Sequence, residues 1–177
     1  MWTDEPLFCP RCGTRLRRRR VEGRARPACT ACPYVFYRTP ASASAAVILK
    51  EGAVLLVKRK NEPYRGTWTF PAGYQEVDET PGEAAVREAR EETGIEVEVT
   101  RLLDVLYTRD DPRKPGNLAV FLCRARRGRL RAGDDAEEVR FFPLSAIPRE
   151  IGFRNNRLVL ARILREFAAE NGRGGRA

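Results

Sequence analysis

The run Thr80-Pro81-Gly82-Glu83 carries the start signals of an α-helix, and Gly94 carries the stop. Threonine is a favoured N-cap, proline is pre-organised for the first helical position, and a glutamate three residues past the cap completes a capping box. A glycine that turns left-handed ends the last turn. A helix is therefore predicted over 81–93. Its two sides differ: Ala84, Ala85 and Ala89 are small enough to press tightly on a sheet, whereas Glu88, Glu91 and Glu92, at i, i+3 and i+4, place three carboxylates on one face. Strand patterns bracket this helix. Ser44 to Leu49 and Ala53 to Lys58 flank Lys50-Glu51-Gly52 as a hairpin, and Thr67 to Phe70 reads as a short strand. Ile95, Val97 and Val99 alternate with polar residues, and further strands are predicted at Leu102 to Tyr107, Leu118 to Arg124 and Val139 to Phe142. Asn155 or Asn156 is placed to cap a closing helix with Val159, Leu160, Ile163, Leu164 and Phe167 on one face. Mixed strands with helices on opposite faces make an α/β sandwich.

Ahead of this region lie Cys9-Pro10-Arg11-Cys12 and Cys29-Thr30-Ala31-Cys32, two C-x-x-C pairs sixteen residues apart. Two such knuckles close a tetrahedral shell of four thiolates, so Cys9, Cys12, Cys29 and Cys32 are expected to hold one structural Zn2+. Pairs of disulfides are the competing reading and do not suit a reducing compartment. Cys123 lies in an apolar run and is expected to be a buried strand residue. Pro40 and the small residues after it mark the boundary: a zinc ribbon over 1–38, an α/β domain over 39–170, and a tail over 171–177 whose three glycines should fray.

Composition narrows the chemistry. The 177 residues contain no histidine, which removes the commonest general base and the Ser-His-Asp and Cys-His systems. No apolar stretch approaches the ~20 residues of a membrane span, and the N-terminus lacks the pattern of a signal peptide, so a cytoplasmic protein is expected. A net charge of +9 attracts polyanions without choosing among them. Arg15 to Arg20 is a basic run able to grip nucleic-acid phosphates or simply to solvate a hairpin tip; it has no aromatic residues interleaved, and the solvated tip is favoured.

Three like charges on one helix face repel unless a partner relieves them. A divalent cation would turn Glu88, Glu91 and Glu92 into a hard-oxygen site, with Arg87 at i, i+4 from Glu91 neutralising part of the charge; a solvated acidic face is the plain alternative. Context decides between them. Gly73, then five residues to Glu79, then seven to Arg87-Glu88-Ala89-Arg90-Glu91-Glu92-Thr93-Gly94-Ile95, resembles the Nudix box of hydrolases that act on nucleoside diphosphates linked to another moiety. Ala89 stands where that family more often has a larger aliphatic residue. Gly66-Thr67-Trp68-Thr69-Phe70-Pro71-Ala72-Gly73 and Glu138 to Leu144 are similar to the family's flanking segments.

The resemblance implies a Nudix α/β/α sandwich with a mixed sheet, and with the ribbon it points to the subgroup of ADP-ribose, FAD and NADH pyrophosphatases. It implies two to three Mg2+ or Mn2+ ions held by the Ala72 carbonyl, Glu88 and Glu92, with Glu91 assisting, and Glu79 and Arg87 bracing the loop and helix by ion pairing. Gly73 and Gly94 are structural members of the box. A downstream carboxylate, from Asp134, Asp135, Glu137 and Glu138, is expected to complete a shell or act as base, with Glu138 favoured. Trp68, Tyr74 and Tyr107 are candidates to stack on a base, each of them equally a core residue. A homodimer is implied by the resemblance alone. The substrate expected is ADP-ribose or an FAD-like dinucleotide, giving AMP. NADH is disfavoured because Val105 to Pro112 lacks the corresponding family motif, and a triphosphate substrate is a lesser alternative. The competing class is a nucleic-acid-binding or regulatory protein with the Nudix fold as ligand sensor, disfavoured because every acidic position of the box is present.

Overall fold

The computed structural model describes residues 5–109, 115–133 and 135–174. Two compact units divide after Pro40. In the first, β1 (Arg17–Val21) and β2 (Arg24–Ala28) pair antiparallel, with Arg17 opposite Ala28 and Val21 opposite Arg24. Glu22 and Gly23, both at positive φ (50° and 78°), make the two-residue turn whose twist matches the strands. An isolated bridge pairs Phe8 with Arg15. The apolar centre is small: Cys9, Leu16 and Cys29, with Cys32 and Tyr34 against them. A core of that size does not hold a fold unaided, so this unit depends on its cysteines.

The second unit is built on a seven-stranded sheet. Its elements are β3 (Ala41–Lys50), β4 (Ala53–Arg59), β5 (Trp68–Thr69), β6 (Ala72–Tyr74), α1 (Pro81–Thr93), β7 (Ile95–Thr108), β8 (Gly116–Gly128), β9 (Ala136–Pro143) and α2 (Arg154–Gly174). The order β5-β4-β3-β8-β7 forms the main path, with β6 paired to β3 and β9 to β4. β3 and β8 run parallel while the other pairs are antiparallel, so the sheet is mixed.

Alternation along β3 and β4 distributes the core. Ala45, Val47, Val54 and Leu56 share one cluster with Val159, Leu160 and Ile163 of α2. Ala46, Ile48 and Leu55 share another with Ala85 and Ala89 of α1. A period of two on strands covered on both sides makes every residue apolar, and helices on the two faces complete the α/β/α sandwich.

Three local expectations change. The strands anticipated at 95–99 and 102–107 are one continuous strand, β7, paired along β8 with register shifts at Glu96/Val97, Val99/Arg101 and Leu102/Asp104. Thr100 stands unpaired in one shift, where its hydroxyl donates to the Leu122 carbonyl at 2.9 Å. Each extra residue flips the side chains to the other face, so a bulge looks like a strand break in the alternation. Asn155 and Asn156 do not cap α2, which begins at Arg154; they sit buried in its first turn and donate to the carbonyls of Tyr107 (3.4 Å) and Gly152 (3.2 Å). The same helix runs through Gly174, into the 171–177 segment expected to fray. No helix among the described residues is long and apolar enough to cross a membrane.

Candidate functional site

Both ends of α1 are fastened as the sequence requires. The Thr80 hydroxyl accepts from the Glu83 N–H at 3.3 Å, and the Glu83 carboxylate accepts from the Thr80 N–H at 2.8 Å. Gly94 turns at φ 71° and its N–H reaches the Arg90 carbonyl. The last carbonyls of the helix are taken up by the β8–β9 connection: Arg131 N–H donates to Thr93 at 2.9 Å and Gly133 N–H to Glu92 at 3.0 Å. A Cβ on Gly133 would stand 2.0 Å from the Glu91 carbonyl oxygen, so only glycine permits this approach. Helix ends demand such partners.

On this frame Arg87 organises the acidic cluster. Its Nε and Nη2 make a fork on Glu79 at 3.0 and 2.6 Å, and Nη2 also donates to the Tyr74 carbonyl at 2.8 Å. Its Nη1 donates to Glu88 at 2.7 Å and to Glu91 at 3.1 Å. Glu79 is fixed further by the Glu76 N–H at 2.8 Å. Hydrogen bonding to Arg87 lowers the Glu79 pKa and, in return, raises that of Arg87.

Glu88 and Glu92 lie deeper. The side chain of Glu88 is 13% exposed and lies directly over Gly73, where a Cβ would meet its Oε1 at 2.1 Å. Glu92 accepts from the Ala72 N–H at 3.3 Å. Burial raises the pKa of both carboxyls: Arg87 opposes the rise at Glu88, while Glu92 is pushed up to about 8 by burial and by the neighbouring Glu88 charge. Glu91 is about half exposed and is engaged by Arg87. Three carboxylates thus share one guanidinium with Glu92 close by, and the surplus negative charge of partly dehydrated hard oxygens is what a divalent cation neutralises. The donor set therefore fits Mg2+ or Mn2+. Among the described residues the four cysteine sulfurs gather within 4.8 Å of one another, and no three carboxylates do.

The downstream carboxylates separate clearly. Glu138 lies on β9 opposite Lys58 and pairs with Arg140, and Glu137 pairs with Lys58 at 3.3 Å. Asp135 is the one whose charge bears on Glu92, helping to raise it; its carboxylate accepts from Asn61 at 2.8 Å and its carbonyl from the Lys60 N–H at 3.1 Å. Asp134 lies outside the described residues. Arg59, at the end of β4, was not marked by any motif, yet its charge opposes the rise at Glu92. The signal was positional: it closes the strand that pairs with β9.

Of the three aromatic candidates, Trp68 is 8% exposed, packed edge-on against Phe142 with centroids 4.6 Å apart. Its position in the core leaves no face for stacking on a base. Tyr74 and Tyr107 are exposed.

In the first unit, Sγ–Sγ separations are 3.6 Å for Cys9 and Cys32, 3.5 Å for Cys12 and Cys29, and 3.7 Å for Cys12 and Cys32. A tetrahedron with Zn–S of 2.3 Å has edges of about 3.8 Å, so four sulfurs so placed suit zinc. Hydrogen bonding to Thr14 pulls the Cys12 thiol down to about 6, favouring the thiolate that a metal needs.

The NUDIX domain model matches residues 38–163. The chain belongs to the Nudix family and is a Nudix hydrolase. Over 127 residues, 71% of this chain and 75% of the relative, it is 41% identical to an ADP-ribose pyrophosphatase of Methanocaldococcus jannaschii. The crystal structure of a NUDIX hydrolase from Nitrosomonas europaea superposes with a TM-score of 0.82 at 34% identity, covering 90% of each chain. That of an ADP-ribose pyrophosphatase from Streptococcus suis gives 0.53 at 30% identity, over 62% of this chain and 78% of the other.

Proposed function

We propose that this chain is a divalent-metal-dependent pyrophosphatase that cleaves ADP-ribose, or a close relative with a nucleoside diphosphate joined to another group, and that its first unit holds one structural zinc. The observation that carries the reading is the pair Glu88 and Glu92, one seated on Gly73 and the other held by the Ala72 N–H, both with pKa values raised by burial. Two adjacent carboxylates kept in so unfavourable a state are poised for a cation rather than for solvent.

In this reading Glu88, Glu92 and the Ala72 carbonyl would hold Mg2+ or Mn2+. Bound there, such ions would supply charge neutralisation for the diphosphate oxygens and would acidify a water. The chain's own residues do the rest. Arg87, braced by Glu79, holds Glu88 and Glu91 in position and offsets their repulsion. With no histidine present a carboxylate can take the proton from the attacking water, and this reading gives that role to Asp135, whose charge acts on Glu92, in place of Glu138. Water oxygen forms a bond to one phosphorus, the anhydride oxygen leaves with the other phosphate, and ADP-ribose yields AMP and ribose 5-phosphate. Tyr74 and Tyr107, both exposed, are the candidates to stack on the base.

The reading is tested by phosphatase-coupled phosphate release with Mg2+ or Mn2+ across ADP-ribose, FAD, NADH, diadenosine polyphosphates and nucleoside triphosphates, beside Glu92→Gln. Preference for ADP-ribose, lost in the variant, is expected. Turnover of triphosphates alone, or equal turnover by the variant, overturns it.

A further inference from the structure

The β1–β2 hairpin carries an unusual concentration of charge. Residues directly opposite in an antiparallel pair lie on one face, so Arg17, Arg19, Arg24 and Arg26 share a face with Val21 and Ala28. Arg19 and Arg26 stand directly opposite each other, an arrangement that costs stability. Arg26 lies over the Tyr37 ring at 4.5 Å and within 3.9 Å of Glu22. Arg17, Arg19 and Arg24 are exposed, and no ion pair among the described residues reaches them.

Arginines on the strands of the second unit are arranged differently, with carboxylates placed against them. On β8, Arg124 and Arg126 meet Glu98, and Arg127 meets Glu96 at 2.7 Å; Arg140 meets Glu138; Arg101 and Arg162 meet Glu166. On β8 three neighbouring guanidiniums meet cross-strand carboxylates, whereas on the hairpin face three meet none among the described residues.

We infer that this face binds the sugar–phosphate backbone of a single-stranded nucleic acid, a role separate from hydrolysis. Guanidiniums two residues apart on a strand repeat every ~6.8 Å, a spacing comparable with that of phosphates along an extended chain, and arginine offers the planar fork that suits phosphate oxygens. The structure also supplies an aromatic side chain that the basic run itself lacks: Phe8, 59% exposed, is paired with Arg15, immediately before β1. A positive strand beside an exposed ring is the combination that binds single strands without sequence preference. A rigid hairpin on a cysteine cluster presents these groups at little ordering cost.

The test is fluorescence anisotropy of the full-length chain with a labelled twenty-nucleotide poly-uridine RNA over a salt series. Three phosphates neutralised on a single strand give a slope of log K against log salt of about −2. The triple change Arg17→Ala, Arg19→Ala, Arg24→Ala should weaken binding at least ~10-fold at low salt and flatten that slope. Removing equal charge from the second unit, Arg124→Ala, Arg126→Ala, Arg127→Ala, should leave both nearly unchanged. Zinc content and hydrolytic turnover report folding of each variant. Equal loss in the two triples would reduce the effect to net charge and overturn the assignment, as would unchanged binding in the hairpin triple. Tighter association with phosphatidylserine vesicles than with the RNA would also overturn it.

Discussion

Replacing Gly73 with alanine should damage this enzyme through a single side chain, Glu88. The backbone at Gly73 is not left-handed, so alanine is conformationally acceptable and the cost is one of contact. The new Cβ would stand 2.1 Å from Glu88 Oε1, 2.2 Å from Cδ and 2.5 Å from Oε2, inside the volume of the carboxylate itself. Glu88 must therefore swing out and give up its 2.7 Å bond to Arg87. A hydrogen bond to a charged group is worth about 1.5–3 kcal/mol and overpacking costs about 1–3 kcal/mol, while the expelled carboxylate regains water. A net destabilisation of about 2 kcal/mol is expected in urea unfolding. Loss of the seat at Glu88 should lower kcat/KM at least ~100-fold, about 2.7 kcal/mol of transition-state stabilisation. A double-mutant cycle with Glu88→Ala isolates the contact. In the Glu88→Ala background Gly73→Ala should cost almost nothing, a coupling above ~1 kcal/mol. Additive stability effects would show that Gly73 acts through something other than Glu88 and refute the reasoning.

In metal-free buffer, stability should fall as pH rises from about 4.5 to about 8: Glu92 holds its proton in the folded state over that window and releases it in the unfolded state. The full shift corresponds to about 5 kcal/mol, and residual water at this side chain reduces the expected loss to about 2–3 kcal/mol. Glu92→Gln should remove most of that slope while abolishing turnover, and unfolding curves at pH 5 and pH 8 for both proteins decide it. Trp68→Ala should destabilise by about 3–5 kcal/mol, as truncation of a large core aromatic does, whereas Tyr107→Ala should leave the melting temperature unchanged and raise KM for ADP-ribose. Cys29→Ser should release the expected zinc from the first unit, read as loss of bound zinc on gel filtration, since three thiolates hold the ion less well than four.

The features legible in the sequence are those whose cause is local. The capping box and Gly94 delimit α1 because helix ends are satisfied by neighbours in the chain, and the C-x-x-C spacing places four sulfurs because each knuckle is its own turn. Glu51 and Gly52, at φ 49° and 73°, make the β3–β4 turn for the same reason. The features that the sequence leaves open depend on distant partners. The bulges of β7 are set by pairing with β8, and Asn155 is drawn into the core by the Tyr107 carbonyl. Asp135 and Glu138 look alike in sequence, but the charge of Asp135 acts on Glu92 while Glu138 pairs with Arg140.

The β8–β9 connection has an evolutionary consequence. Loops near a phosphate-hydrolysing centre are where enzymes usually change their substrates, by lengthening or exchanging residues without disturbing the scaffold. Here Arg131 and Gly133 are tied to the carbonyls of Thr93 and Glu92. An insertion between them would free the end of the helix that presents the acidic residues before it offered any new group to a substrate. A change of length in this segment would therefore reach the helix end before it reached a substrate.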